Sequence, residues 1–284
     1  MMVAMRKMHY IMAIIFISLC SVTAHGASFP DELTGTWQVE EVHLNTKSGR
    51  TTEYVCNDPR LKGRIFKITR SSVTDDTSDN ADLCANPEVR YINTSFRDLM
   101  LRSVGGYDKP DFADANPVRD YKLNFNGEQQ VQALSLTCST GLWQGDLGLT
   151  NGVPGKAAVS GAWIVPDGNQ KLFLRWRDES ILLLGRISGS SEIRASFHCD
   201  KASTATEHAI CGSYQLAAYD ESVAASYKLA MTHARDLGAH QSTELNRSQR
   251  QWMQQRDACG ADSQCILASM RSRLEALTTA AFSD

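Results

Sequence analysis

Cysteine placement constrains this 284-residue chain more than any other feature. Cys20 sits at the end of an apolar run, Tyr10 to Leu19 (YIMAIIFISL), behind the basic pair Arg6 and Lys7. Small residues follow at Ala24 and Ala27. Basic, apolar and small residues in that order make a secretory leader over 1–27, with cleavage expected after Ala24 or Ala27. The run is too short for a membrane span, which needs about 20 apolar residues. Cys20 follows Leu19 rather than a small residue, which argues against lipidation. Seven cysteines remain: Cys56, Cys84, Cys138, Cys199, Cys211, Cys259 and Cys265. A chain exported to the periplasm or beyond meets an oxidising compartment, so these read as disulfide partners, with at least one odd thiol. There is no CxxC, and His43, His198, His208, His233 and His240 lack zinc spacing, so neither a metal nor a cofactor is expected.

Loss of the leader removes Arg6 and Lys7 and no acid, which takes the formal charge from −3 to −5. A mildly acidic chain without a basic run argues against nucleic acid or anionic membrane as partner. No later stretch is apolar enough to span a bilayer.

The length suggests about two domains, and the sequence changes character near residue 190. Before it, short alternating runs are separated by Gly, Asn, Asp and Pro. Strands are expected near 34–44, 63–74, 120–126, 131–138, 157–165, 171–177 and 180–187. KLFLRWR and SILLLGRI flank Asp178-Glu179 as a hairpin would, with one face buried and the other wet. Asn126-Gly127 marks a further turn. Residues 75–119 read as long loops with a helical turn at SFRDLML. The expectation for 28–190 is an all-β antiparallel small barrel or sandwich. Leu33-Thr-Gly-Thr-Trp37 and Val159-Ser-Gly-Ala-Trp163 echo each other. The first is reminiscent of lipocalin-like barrels, where a Gly-x-Trp on the first strand plugs the closed end. Such a barrel either holds an apolar ligand or is packed with its own side chains.

Residues 188–196 (SGSSEIRAS) read as a connection. Beyond them, 196–284 is expected to be an all-α, disulfide-stapled bundle. Thr204-Ala-Thr-Glu207 is a capping box that opens a helix ending near Cys211-Gly212. Helices follow over about 213–236 and 241–258, and a last one from Asp262 or Ser263 to Leu277. On the second helix Leu216, Asp220, Val223 and Tyr227 share a face; on the third, Leu245, Gln249, Trp252, Arg256 and Cys259 do. A charge on a packing face is costly alone, so Asp220 and Arg256 are expected to meet, with Trp252 and Tyr227 beside them. Pairing neighbours, Cys199 with Cys211 and Cys259 with Cys265, asks least of the backbone among three connectivities. Cys56, Cys84 and Cys138 leave one pair and one thiol that the sequence does not assign.

The strings FHCDKASTATEHAIC, GSYQLAAYDESVAASY and RSQRQWMQQRDACGADSQC together resemble the LprI-type lysozyme-inhibitor domain. The matching positions include Cys199, Lys201, Glu207, Cys211, Asp220, Tyr227, Gln249, Arg250, Trp252, Arg256, Cys259 and Cys265. The resemblance implies an exported helical module and, as partner, a lysozyme or another peptidoglycan-degrading enzyme whose cleft it blocks. Most matching residues are the cysteines and packing residues already read from periodicity, so they speak for a fold before an activity. Lys201, Arg247 and Arg250 are the candidate donors to an enzyme's carboxylates. A periplasmic carrier with an apolar ligand in the β-half is the competing reading. An enzyme is not expected, since GxSxG, HExxH and P-loop motifs are absent.

Overall fold

The computed structural model describes residues 29–77, 83–105, 115–141, 143 and 156–282. The expected leader, with Cys20, lies outside the described residues.

Among the described residues ten strands make one antiparallel sheet: β1 (Gly35–His43), β2 (Ile65–Ile68), β3 (Ser72–Asp75), β4 (Leu83–Ala85), β5 (Glu88–Ser95), β6 (Gln130–Thr137), β7 (Thr140–Gly141), β8 (Trp163–Asp167), β9 (Lys171–Arg175) and β10 (Ile181–Ile187). Ala85 faces Thr140 and Glu88 faces Thr137 in one continuous register. β4 and β5 are therefore one strand interrupted at Asn86, whose φ is 45°, and β7 and β6 form the complementary strand. Cys84 and Cys138 are bonded across this interruption. Counted so, each strand pairs with its sequence neighbours, and β10 pairs back onto β1. The pairings run in a ring, which is the barrel-like alternative rather than the sandwich. Among the described residues the seam is thinnest between β6 and β8, joined through Leu134–Ile164 and Ser135–Trp163.

The alternating residues of nearly every strand fill the interior: Trp37, Val39, Phe66, Ile68, Val73, Leu134, Ile164, Leu172, Leu174, Leu182 and Leu184. Trp176 meets Phe66 edge-on at 5.1 Å and Trp143 at 5.5 Å. Trp37 plugs one end. Its Nε1 donates to the Leu33 carbonyl at 2.9 Å, and the Arg186 guanidinium lies 4.1 Å from its ring centroid. At the other end Asp178 accepts the amides of Thr52, Glu53 and Tyr54, which draws loop 50–54 over the β9–β10 turn. Aromatic side chains thus occupy the space a calyx would need, and the carrier reading gains no support here.

Two helices, α1 (Phe96–Ser103) and α2 (Pro117–Asp120), cover the outer face of β6 and β8–β10. Both faces of the hairpin, of which one was expected to be wet, are consequently covered: Phe173 and Arg175 are buried as well as Leu172 and Leu174, and Arg175 Nη1 donates to the Gly161 carbonyl at 2.8 Å. Burial pushes the Arg175 guanidinium down to about 10. Further corrections concern bounds. The run 63–74 is the hairpin β2–β3. Residues 120–126 are not a strand: Asn116 caps α2, and Lys122, with φ 55°, turns the chain. The strand expected at 157–165 begins at Trp163. Residues 75–119 hold β4, β5 and α1 rather than loops alone. β5 escaped notice because only Val89 of its eight residues is buried, which leaves no apolar alternation to read.

The second half is helical: α3 (Ala205–Cys211), α4 (Tyr214–Leu237), α5 (Ala239–Asp257) and α6 (Ser263–Phe282). Thr204 and Glu207 form the capping box. Gly238, with φ 128°, is the single residue between α4 and α5, a conformation that favours glycine. Asp262 Oδ1 accepts the amides of Gln264 and Cys265 and starts α6, which runs past the expected end at Leu277 to Phe282. Cys199–Cys211 and Cys259–Cys265 are bonded as the spacing suggested. Cys84–Cys138 takes the remaining pair, so Cys56 is the free, exposed thiol.

Candidate interaction surface

The apolar stripes of α4, α5 and α6 converge on Leu216, Tyr219, Val223, Trp252, Ile266, Met270 and Leu274. Two charges sit among them. Arg256 Nη1 donates to Asp220 Oδ1 at 3.2 Å, and the Asp220 and Arg256 side chains are 5% and 10% exposed. Asp220 Oδ2 also accepts the Ser196 amide at 2.8 Å, which ties the connection to α4. Arg256 spends Nε and Nη2 on Asp257 Oδ1, and its guanidinium lies 5.3 Å from the Trp252 ring centroid. Trp252 Nε1 donates to Ser269, and the Tyr227 hydroxyl donates to Asn246 Oδ1. All four residues point inward with their polar atoms engaged.

α4 also mounts the bundle on the sheet. Arg64, on the approach to β2, is buried under it: its guanidinium lies 3.3 Å from the Tyr219 ring centroid and Nη2 donates to Ser222 Oγ at 3.0 Å. Tyr219 donates to the Asp76 carbonyl at 2.8 Å, and Gln215 Nε2 to Asp76 Oδ2 at 2.9 Å. Gly63, with φ 82°, lets the backbone approach Ala218, whose Cβ would stand 3.0 Å from any Cβ there. Beside this contact an open cleft of about 1050 Å³ carries Cys56, Lys62, Glu221 and Lys228. Burial pushes the Glu221 carboxyl up, and neighbouring Asp220 adds to that against Lys62 and Arg194.

With α4 spent on the sheet and α6 packed along α4, α5 is the outward element. Of its nineteen residues only Trp252 and Arg256 are buried. The three sequence candidates do not converge. Lys201 is exposed in the turn before α3; Arg250 is exposed on α5; Arg247 is exposed and pairs with Glu244 at 2.6 Å. A groove of about 290 Å³ runs between α5 and α6, lined by Ser248, Gln251, Gln255, Ser272 and Arg273 with Trp252 at its base. Arg273 Nε donates to Gln249 Oε1 at 2.9 Å and Nη1 to Ser248 Oγ at 2.8 Å. Sequence reasoning missed Arg273. Its signal was a cation one position off the α6 stripe Ile266, Met270, Leu274 and Leu277. Among the described residues no cluster of His, Cys, Asp and Glu could hold a metal ion, and no helix is long and apolar enough to cross a membrane.

Residues 199–277 match the family model described as Lysozyme inhibitor LprI, a span that begins at the first cysteine of the bundle and ends in α6. Comparison with curated proteins and with solved structures yields no match.

Proposed function

We propose that the chain is an exported factor that binds a lysozyme, or a related peptidoglycan-degrading enzyme, through its helical half and blocks that enzyme's cleft. The observation that carries this reading is the LprI match over 199–277. The three disulfides support an oxidising compartment, and the leader-like first 27 residues would take the chain there. The exposed length of α5 supports a protein partner rather than a small ligand, since it offers a long polar face with few groups engaged elsewhere. The acidic net charge favours encounter with a basic enzyme, and exposed cations such as Lys201, Arg247 and Arg250 would meet its carboxylates locally. The role is inhibitory rather than catalytic. The purified mature chain is expected to slow the clearing of a cell-wall suspension by lysozyme at near-stoichiometric concentration. No inhibition of any of several lysozyme types at large molar excess would sink the reading.

A further inference from the structure

Arg273 of α6 is half-buried, and several other arginines so placed are answered by a carboxylate. Arg50 pairs with Glu179, Arg60 with Asp58, Arg102 with Asp98 and Arg256 with Asp220. Arg64 lies flat on an aromatic face at 3.3 Å. Arg273 has no carboxylate within ion-pair distance among the described residues, and its nearest ring, Trp252, is 5.9 Å away. Its orientation is nonetheless fixed, because Gln249 and Ser248 hold Nε and Nη1. Nη2 is buried with no acceptor. A guanidinium held still, partly desolvated and without a counter-charge is a poor stability element and a preorganised carboxylate receptor.

The surroundings fit that role. Gln251 and Gln255 place amide groups along the α5 wall and Ser272 a hydroxyl along the α6 wall. Arg247 lies one helical turn before Gln251 and so flanks the same wall. Arg247 pairs with Glu244, in an exposed pair of little strength. The groove is therefore lined by one cation, Arg273, and by neutral polar groups, with no acid among them.

We propose that the α5–α6 groove receives a carboxylate side chain of the partner protein, bound by Arg273 with Arg247 at the rim. The identity of that partner rests on the function proposed above; the carboxylate site does not. Ser248 and the two glutamines orient the incoming oxygens. Binding energy comes from giving a partly desolvated cation its counter-charge rather than from apolar area.

Two measurements on the mature chain test this separately. The first titrates sodium acetate, against sodium chloride at equal ionic strength, while following the Arg273 Nε–Hε resonance, assigned by its loss in Arg273→Gln. A saturable shift with acetate alone is expected; an identical response to both salts overturns the site. The second compares lysozyme inhibition and melting temperature for wild type, Arg273→Gln and Arg247→Gln. Arg273→Gln should weaken inhibition at least tenfold with its melting temperature unchanged or raised, because the uncompensated charge is gone; Arg247→Gln should weaken it a few-fold. A lowered melting temperature with inhibition intact would make Arg273 a structural residue and overturn the proposal. An acetate response with inhibition unaffected by Arg273→Gln would overturn the partner as occupant. If the wild type inhibits no lysozyme, the functional reading fails, and the groove stands or falls on the acetate titration.

Discussion

Asp220 and Arg256 are a pair of charges that have both left water, and the bundle pays for that only because every oxygen of Asp220 is used. One oxygen accepts Arg256 Nη1 and the other the Ser196 amide. Removing one member leaves the other desolvated without compensation, which typically costs about 3–5 kcal/mol. Asp257 also holds Arg256 from the solvent side, so Asp220→Ala is expected near the lower end, about 3 kcal/mol in urea unfolding. An unchanged midpoint would mean the pair contributes nothing. Glu207 works by a different route. The Ser203 and Thr204 amides donate to its carboxylate and hold its pKa below the ordinary 4.5. A depressed folded-state value means this contribution is complete above 4.5 and is lost as pH falls through the lower folded value. The group is exposed, so the effect is small. Thr204→Ala, which removes the reciprocal half of the cap, should cost about 1 kcal/mol at neutral pH. In Glu207→Gln the acid limb of the stability profile should flatten, and an unaltered limb would count against the capping role.

Elements show how far patterning reads and where it stops. β9 and β10 were legible from their apolar runs and the Asp178-Glu179 turn, and both turn residues take positive φ, with the Ser180 amide donating to the Arg177 carbonyl across them. What the pattern could not show is that α1 and α2 lie over the far side, so that Arg175 is buried; a covering element separated by some seventy residues leaves no local trace. β5 was invisible for the opposite reason, since exposure on both faces removes the period-2 signal. The helices were legible because capping residues and glycines punctuate them. Arg273 was not, because the role proposed for it rests on a missing counter-charge, which no spacing encodes. The disulfides divide the same way: the two short loops followed from proximity in sequence, whereas Cys84–Cys138 depends on the ring of strands. Its sequence separation of 54 against 12 and 6 sets an order of stabilisation. By loop-closure entropy the three bridges contribute about 4, 3 and 2 kcal/mol. Paired Cys→Ser variants should therefore lose stability in that order, the Cys84/Cys138 variant most, and a reversed order would show that native-state effects outweigh chain entropy. Thiol titration of the folded, unreduced mature chain should find one reactive group, removed by Cys56→Ser with no change in melting temperature.

At the scale of the molecule the question is whether barrel and bundle behave as one cooperative unit. The contact between them is narrow but chemically dense. Tyr219 stands between two guanidinium groups, Arg64 at 3.3 Å on one side and Arg271 at 5.4 Å, whose Nε donates to the same hydroxyl that donates to the Asp76 carbonyl. Arg64 is 1% exposed and belongs to the β-half, so that half keeps a desolvated cation that α4 faces. Separating the halves would take Arg64 from the Tyr219 ring and the Asp76 carbonyl from its hydroxyl, while each half has a core of its own. Coupling of this kind, concentrated in a few side chains rather than in apolar area, should be removable at a point. The wild-type chain is expected to unfold in one calorimetric transition. Tyr219→Ala, which takes away the aromatic face and both hydrogen bonds, should split it into two, with the disulfide-stapled bundle and the barrel melting apart. Tyr219→Phe keeps the stack and loses only the hydroxyl, so it should lower the midpoint without splitting the peak. Two well-separated transitions already present in the wild type, or a single unshifted peak in Tyr219→Ala, would show that the halves are not held together through this residue.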